Sequence, residues 1–229
     1  MTGMVDLKER DKILNELKEK YPQKFVPEEK VFQHINRGDR IFIGTGCGEP
    51  QYLVHSLVNY VEKHPKAFFD TEVLHVWTLG IAPYTSETFK SNFRQNSFFI
   101  GNEATREALR KGIADYTPIF LSQVPELFYR KVVPLHVALI QTSPPDHHGY
   151  MSLGVSVDIT KTAVENAGLV IVQVNHFMPR VHGDTFIHVE EVDFILPHDE
   201  PLLEYEPKAP DEIVQSIGKD IGELLGLKE

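Results

Sequence analysis

Cysteine is almost absent from this chain. Cys47 is the only one, so no intrachain disulfide and no thiolate metal cluster can form, which suits a reducing cytosol. Long apolar runs are missing as well. No stretch approaches the ~20 residues that cross a bilayer, and the opening MTGMVDLKERDKILNELKEKY has no apolar core of a secretory signal. Positive charge is also short, with 23 Lys and Arg against 33 Asp and Glu, a formal net charge of −10. Phosphate-binding surfaces need the opposite balance, so neither nucleic acid nor an anionic membrane is an expected partner. Internal repeats and low-complexity tracts do not stand out.

What remains is ordinary globular material: 229 residues, 41% hydrophobic and 24% charged, enough for one large domain or two small ones. Leu7, Ile13, Leu14 and Leu17 recur among charges between Val5 and Tyr21, which predicts an amphipathic helix extending from the body. Pro22 and Pro27 interrupt it, and a short helix is expected from Glu28 to Ile35. Residues 1–36 read as a helical extension and 37–229 as the main domain. Arg40-Ile41-Phe42-Ile43 is a compact strand running into Gly44-Thr45-Gly46-Cys47-Gly48. Glu49-Pro50 then opens a helix with Leu53, Val54, Leu57, Val58 and Val61 at helical spacing.

This strand, glycine loop and helix form one βα unit, and similar units follow. Strands are expected at Val73–Leu79, Ser97–Ile100, Tyr116–Leu121, Val132–Gln141, Tyr150–Val155, Leu169–Val174, Ile187–Val189 and Phe194–Leu196. Helices are expected at Glu103–Lys111, Val124–Tyr129, Thr160–Ala167 and Asp211–Leu225. The class is α/β, with a mainly parallel open sheet and helices on both faces.

Candidate chemistry sits where strands end. Gly44, Gly46 and Gly48 would let a ligand approach the backbone, with helix N–H groups behind. The spacing G-x-G-x-G matches neither the dinucleotide fingerprint nor the P-loop, so a tight turn without ligand stands equally beside that reading. Cys47 there could be a nucleophile, although no base is identifiable locally. Glu49 is expected to complement the helix N-terminus. The histidines at 147, 148, 176, 182, 188 and 198 raise a metal question, but no H-x-x-x-H on a helix occurs and none is expected to hold an ion. Two polar loops follow strands: SPPDHHG from Ser143 to Gly149, and NHFMPRVHGD from Asn175 to Asp184. Turn chemistry is their plain reading, with Asp146 capping, Gly149 and Gly183 at positive φ, and Arg180 paired with an acid.

In order, G-x-G-x-x-E-P from Gly44, PIFLSQVPELF from Pro118, ALIQTSPPDHHGYMSLGVSVD from Ala138 and VNHFMPRVHGDTFIH from Val174 closely resemble the acetyl-CoA hydrolase/transferase family. The branch is the 4-hydroxybutyrate CoA-transferase type, and the likeness runs from about Arg37 to the end. It implies the N-terminal domain of a two-domain enzyme about twice this length. A glutamate of the second domain attacks the acyl-CoA thioester, giving an acyl-glutamyl anhydride and then a glutamyl-CoA thioester, from which a second carboxylic acid collects CoA. That glutamate and the CoA-binding glycine segment fall beyond Glu229, so no catalytic residue is expected in this chain. The resemblance implies a cleft wall from Gly44, Gly46, Gly48, Glu49, Asn102, Ser143, Asp146, His148, Gly149, Asn175, Arg180 and Asp184. Coenzyme A enters as substrate, with no tightly bound cofactor. Acyl-CoA, a small carboxylic acid, and a C-terminal domain or complementary subunit are the partners, and a homo-oligomer is compatible with the flank left exposed. The alternatives are a non-catalytic anion-binding or oligomerisation module and a standalone hydrolase using Cys47 or Glu103.

Overall fold

The computed structural model describes residues 7–207 and 209–226. Its nine strands are β1 Arg40–Ile43, β2 Thr71–His75, β3 Phe93–Ser97, β4 Ala114–Tyr116, β5 Leu135–Thr142, β6 Tyr150–Ser152, β7 Ala167–Val174, β8 Phe186–His188 and β9 Phe194–Pro197. Its helices are α1 Leu7–Lys20, α2 Glu28–Phe32, α3 Gln51–Lys63, α4 Glu103–Arg110, α5 Val124–Tyr129, α6 Thr160–Asn166 and α7 Glu212–Leu224. Seven strands make one sheet in the order β4-β3-β2-β1-β5-β7-β9, with every pairing parallel. β6 and β8 form a small antiparallel pair beside it.

Alternation along the strands explains the layers. Phe42, Leu74, Ala138, Ile140 and Val172 point to one face and meet Val124 and Phe128 of α5 and Ala163 and Val164 of α6. Ile41, Ile43, Val73, Leu139 and Ile171 point to the other and meet Val31 and Phe32 of α2 and Leu53, Leu57 and Val61 of α3. Burial on both faces is why RIFI carries no polar residue after Arg40. Each such side chain contributes ~1.5–3 kcal/mol by leaving water, so Phe42→Asp would break the sheet at its centre.

Several expected elements shift. The third strand is Phe93–Ser97 rather than Ser97–Ile100, and the fourth is Ala114–Tyr116 rather than Tyr116–Leu121. In both places an apolar run just past the strand end, Phe98-Phe99-Ile100 or Ile119-Phe120-Leu121, mimics a strand. The true β3 is polar at Arg94, Gln95 and Asn96. Buried Gln95 is accommodated because its Nε2 donates to Thr78 Oγ1 (3.1 Å) and Ser97 Oγ (3.0 Å). The second strand stops at His75, and Val76–Ala82 is loop. The first helix is no loose extension: Ile13 is buried, Leu14 and Leu17 pack on the core, and Tyr21 Oη donates to Glu190 at 2.9 Å. The expected start of that helix at Val5 lies outside the described residues. α7 is the opposite case. Asp211 caps it by accepting from Val214 N at 2.9 Å, yet it buries no residue, and Ile213, Ile217, Ile221 and Leu224 line one exposed face.

Candidate functional site

Because the sheet is parallel, the loops after its strands share one rim, and strand order reverses between β1 and β5. Ligands of open α/β sheets settle at such a reversal. The loop after β1 and the loop after β5 therefore flank the candidate cleft, with the loop after β2 as the next wall.

The first two walls are bonded together. Gly46 N donates to Trp77 O (2.9 Å), and Thr45 Oγ1 both donates to Trp77 O (2.6 Å) and accepts from Trp77 N (2.7 Å). Further along, Glu49 Oε2 accepts Leu79 N (3.2 Å) and Gly80 N (3.0 Å), and Gln51 Oε1 accepts Ile81 N (2.9 Å). Glu49 is 1% exposed. Burial raises its carboxyl to about 7, with the Gly80, Gln51 and Leu79 contacts opposing the shift in part. The expectation that Glu49 complements the helix N-terminus is thus corrected: its carboxyl serves the loop after β2, and α3 starts without a side-chain cap.

The glycines serve close packing here. Gly46 sits at φ +61°, and a Cβ on Gly48 would stand 1.8 Å from Ser156 Oγ. Cys47 lies half-buried in the short turn Gly46–Gly48. Below these loops His75 and Tyr84 are fully buried and hydrogen-bonded through Nε2 and Oη. Burial pushes His75 down to about 3 and Tyr84 well up, the latter with help from the Glu49 charge.

The loop after β5 is ordered differently. Asp146 Oδ1 accepts His148 N and Tyr150 N, both at 2.9 Å, while its Oδ2 pairs with Arg180 at 2.6 Å. Arg180 also donates to Tyr150 O (2.9 Å) and lies over the Phe186 ring. Gly149 adopts φ +86° against His188, whose Nε2 meets His148 O at 2.9 Å. The His148 ring itself is exposed, so the side chains of Asp146 and His188 order the turn. Ser143 is buried, its Oγ accepting Ser152 N at 3.0 Å. His147 and His176 face α1, pairing with Glu9 (3.2 Å) and Asp11 (3.4 Å). A cavity of about 270 Å³ lies between α1 and Ser143–His147. Among the described residues no group of three His, Cys, Asp or Glu could hold a metal ion.

Other candidates are spread out. Asn102 caps α4, accepting Thr105 N at 2.8 Å, and donates to Thr78 O at 2.7 Å. Asn175 is fully buried, donating to Gln141 Oε1 (2.5 Å) and Glu200 O (2.7 Å). Asp184 is exposed and pairs with Lys161, whereas Arg180 pairs with Asp146. Glu103 is exposed and ion-paired with Arg110 at 2.9 Å. Sequence reasoning missed the Trp77–Ile81 wall and Gln51.

Fold and rim together define a doubly wound α/β module whose strand order reverses between β1 and β5, the place where ligands of such sheets settle. Residues 4–204 match the model of the acetyl-CoA hydrolase/transferase N-terminal domain. The chain belongs to that family. It is 42% identical over 210 residues to the 4-hydroxybutyrate coenzyme A transferase of Clostridium kluyveri, covering 92% of this chain and 48% of that protein. Identity to the succinyl-CoA:acetate/propanoyl-CoA:succinate CoA transferase of Fasciola hepatica is 37%, covering 90% and 42%. The crystal structure of RipA from Yersinia pestis superposes with a TM-score of 0.81 at 28% identity, covering 89% of this chain and 49% of that one. The chain spans about half the length of these relatives. No helix among the described residues is long and apolar enough to cross a membrane.

Proposed function

We propose that this chain forms one wall of the active-site cleft of a cytoplasmic acyl-CoA:carboxylate CoA-transferase, and that the attacking glutamate comes from a complementary C-terminal domain or subunit. Membership in a family whose relatives are CoA-transferases of twice the span is the observation that carries this reading. Acyl-CoA and a small carboxylic acid, 4-hydroxybutyrate being the first to try, are the substrates. Coenzyme A is consumed and regenerated rather than held as a resident cofactor.

The rim supports the reading in two ways. Its loops are tied by buried hydrogen bonds, so a substrate meets a preorganised surface, as transition-state stabilisation requires. Exposed apolar side chains recur on the same rim, at Phe99, Phe120, Leu121, Val155 and Phe177, and along α7. Such surface marks a face that another body covers. Buried against that body, the rim would exclude water from the acyl-enzyme anhydride and favour transfer over hydrolysis.

The test is CoA transfer from acetyl-CoA to 4-hydroxybutyrate. The chain alone should show none, and activity should appear when the complementary half of a relative is added. Transfer by the isolated chain would overturn the assignment of the nucleophile to the other half.

A further inference from the structure

Glu49 is the buried acid that the proposed chemistry does not use. Its environment is unusual for a carboxylate. Oε2 is satisfied by the Leu79 and Gly80 amides, but Oε1 is buried without any hydrogen-bond partner. The Gln51 carboxamide stands beside it, yet its Nε2 reaches no partner in good geometry either. Among the described residues the phenol of Tyr84 feels the Glu49 charge, and His75, bonded to that phenol, is held neutral by burial. From β5, Gln141 Nε2 donates to the Glu49 main-chain carbonyl at 3.3 Å, leaving the carboxyl untouched. Among the described residues no cation is in ion-pair contact with Glu49. A charged carboxylate with one bare oxygen and no counter-ion is costly in such a place, whereas a neutral carboxyl is tolerated.

We infer that Glu49 is a positioning residue acting as a neutral carboxyl: with its proton it holds the loop after β2 against the loop after β1, and on losing the proton it releases that loop. Trp77 stays tied to Thr45 and Gly46, and Ile81 to Gln51, so the proton on Glu49 sets whether the Leu79–Gly80 part of this wall is held closed. The closed wall binds a proton that the open wall, with its carboxyl in water, does not, so opening increases with pH by linkage. The window is fixed by the ordinary value of 4.5 for the open form and about 7 for the closed one. The functional meaning rests on the cleft reading above. The latch itself does not, because it is measured on this chain without any transfer reaction.

The experiment is amide hydrogen exchange on the full chain from pH 5 to 8, corrected for intrinsic base catalysis. The variants are Glu49→Gln and Glu49→Ala. In the wild type, protection of Leu79 and Gly80 should fall at least about tenfold between pH 5 and 7 and then level off. In Glu49→Gln, which keeps a neutral acceptor of the same shape, protection should stay high and lose this pH dependence. In Glu49→Ala the two amides should exchange at least about tenfold faster at pH 5, while Gly44 N, bonded to Leu139 O, stays protected. Should Glu49→Ala fail to fold, the wild type and Glu49→Gln still decide. A flat wild-type profile, or a Gln variant that opens like the deprotonated wild type at every pH, would overturn the inference. Such a result would leave the cleft reading standing, since that depends on the complementation assay.

Discussion

The two loops at the centre of the rim occupy equivalent places, one after β1 and one after β5, and are held by opposite means. Gly44–Pro50 is fixed by a buried acid that has no counter-ion among the described residues. Ser143–Gly149 is fixed by an acid paired with Arg180, where both side chains keep about a quarter of their exposure. Burial decides which mechanism serves. Inside, a charge is expensive, so hydrogen bonds to a neutral group do the holding and pH is the sensitive variable. At the surface the ion pair is hydrated and screened, so salt is the sensitive variable.

Removing each acid should separate the two. Glu49→Ala leaves two amides without an acceptor in a closed pocket, and a loss of ~3 kcal/mol in urea unfolding is expected. A loss no larger than that of Asp146→Ala would erase the contrast. The next effect is a slope. His75 lies at about 3 in the fold against an ordinary 6.5, so the unfolded chain takes up a proton the fold refuses, and stability falls as pH drops below 6.5. Glu49, raised from 4.5 to about 7, has the opposite sign: the fold keeps a proton the unfolded chain sheds, and stability falls as pH rises through that range. Between 4.5 and 6.5 the two slopes offset each other. Glu49→Gln should therefore expose the His75 slope, with stability rising by ~1.4 kcal/mol per pH unit across that window. Unfolding midpoints at matched ionic strength would show it, and a Gln variant as flat as the wild type would contradict it.

Smaller effects belong to the second loop. Asp146→Asn keeps an acceptor for His148 N and Tyr150 N but loses the charge facing Arg180. About 1 kcal/mol is expected at low salt, shrinking toward zero at 1 M salt. His148→Ala should change stability by less than ~0.5 kcal/mol, because the exposed ring contributes nothing to the turn.

The same contrast explains what could be read from the sequence. Ser143–Gly149 was legible because its ordering is local: Asp146 and Gly149 are turn residues by type, and Arg180 needed only an acid nearby. The parallel sheet was legible from apolar strands such as Arg40–Ile43 and Ala167–Val174, and the α3 periodicity fixed the layer behind them. The role of Glu49 was hidden because its partners, Leu79 and Gly80, lie 30 and 31 residues away, at and just past the end of a segment that looked like continuing strand. β3 was hidden for a related reason, since Gln95 is matched by Thr78 of the loop after β2 and no apolar pattern announces it.

The central claim is that the carboxyl-end rim faces a complementary half across a shared cleft. Amide chemical shifts of the labelled chain, recorded while the C-terminal half of a relative is titrated in, test it most directly. Perturbations should concentrate at Gly44–Glu49, Trp77–Ile81, Phe98–Asn102 and Ser143–Gly149, together with α7. Changes confined to the opposite end, at Arg37–Asp39 and Lys131–Pro134, would contradict it.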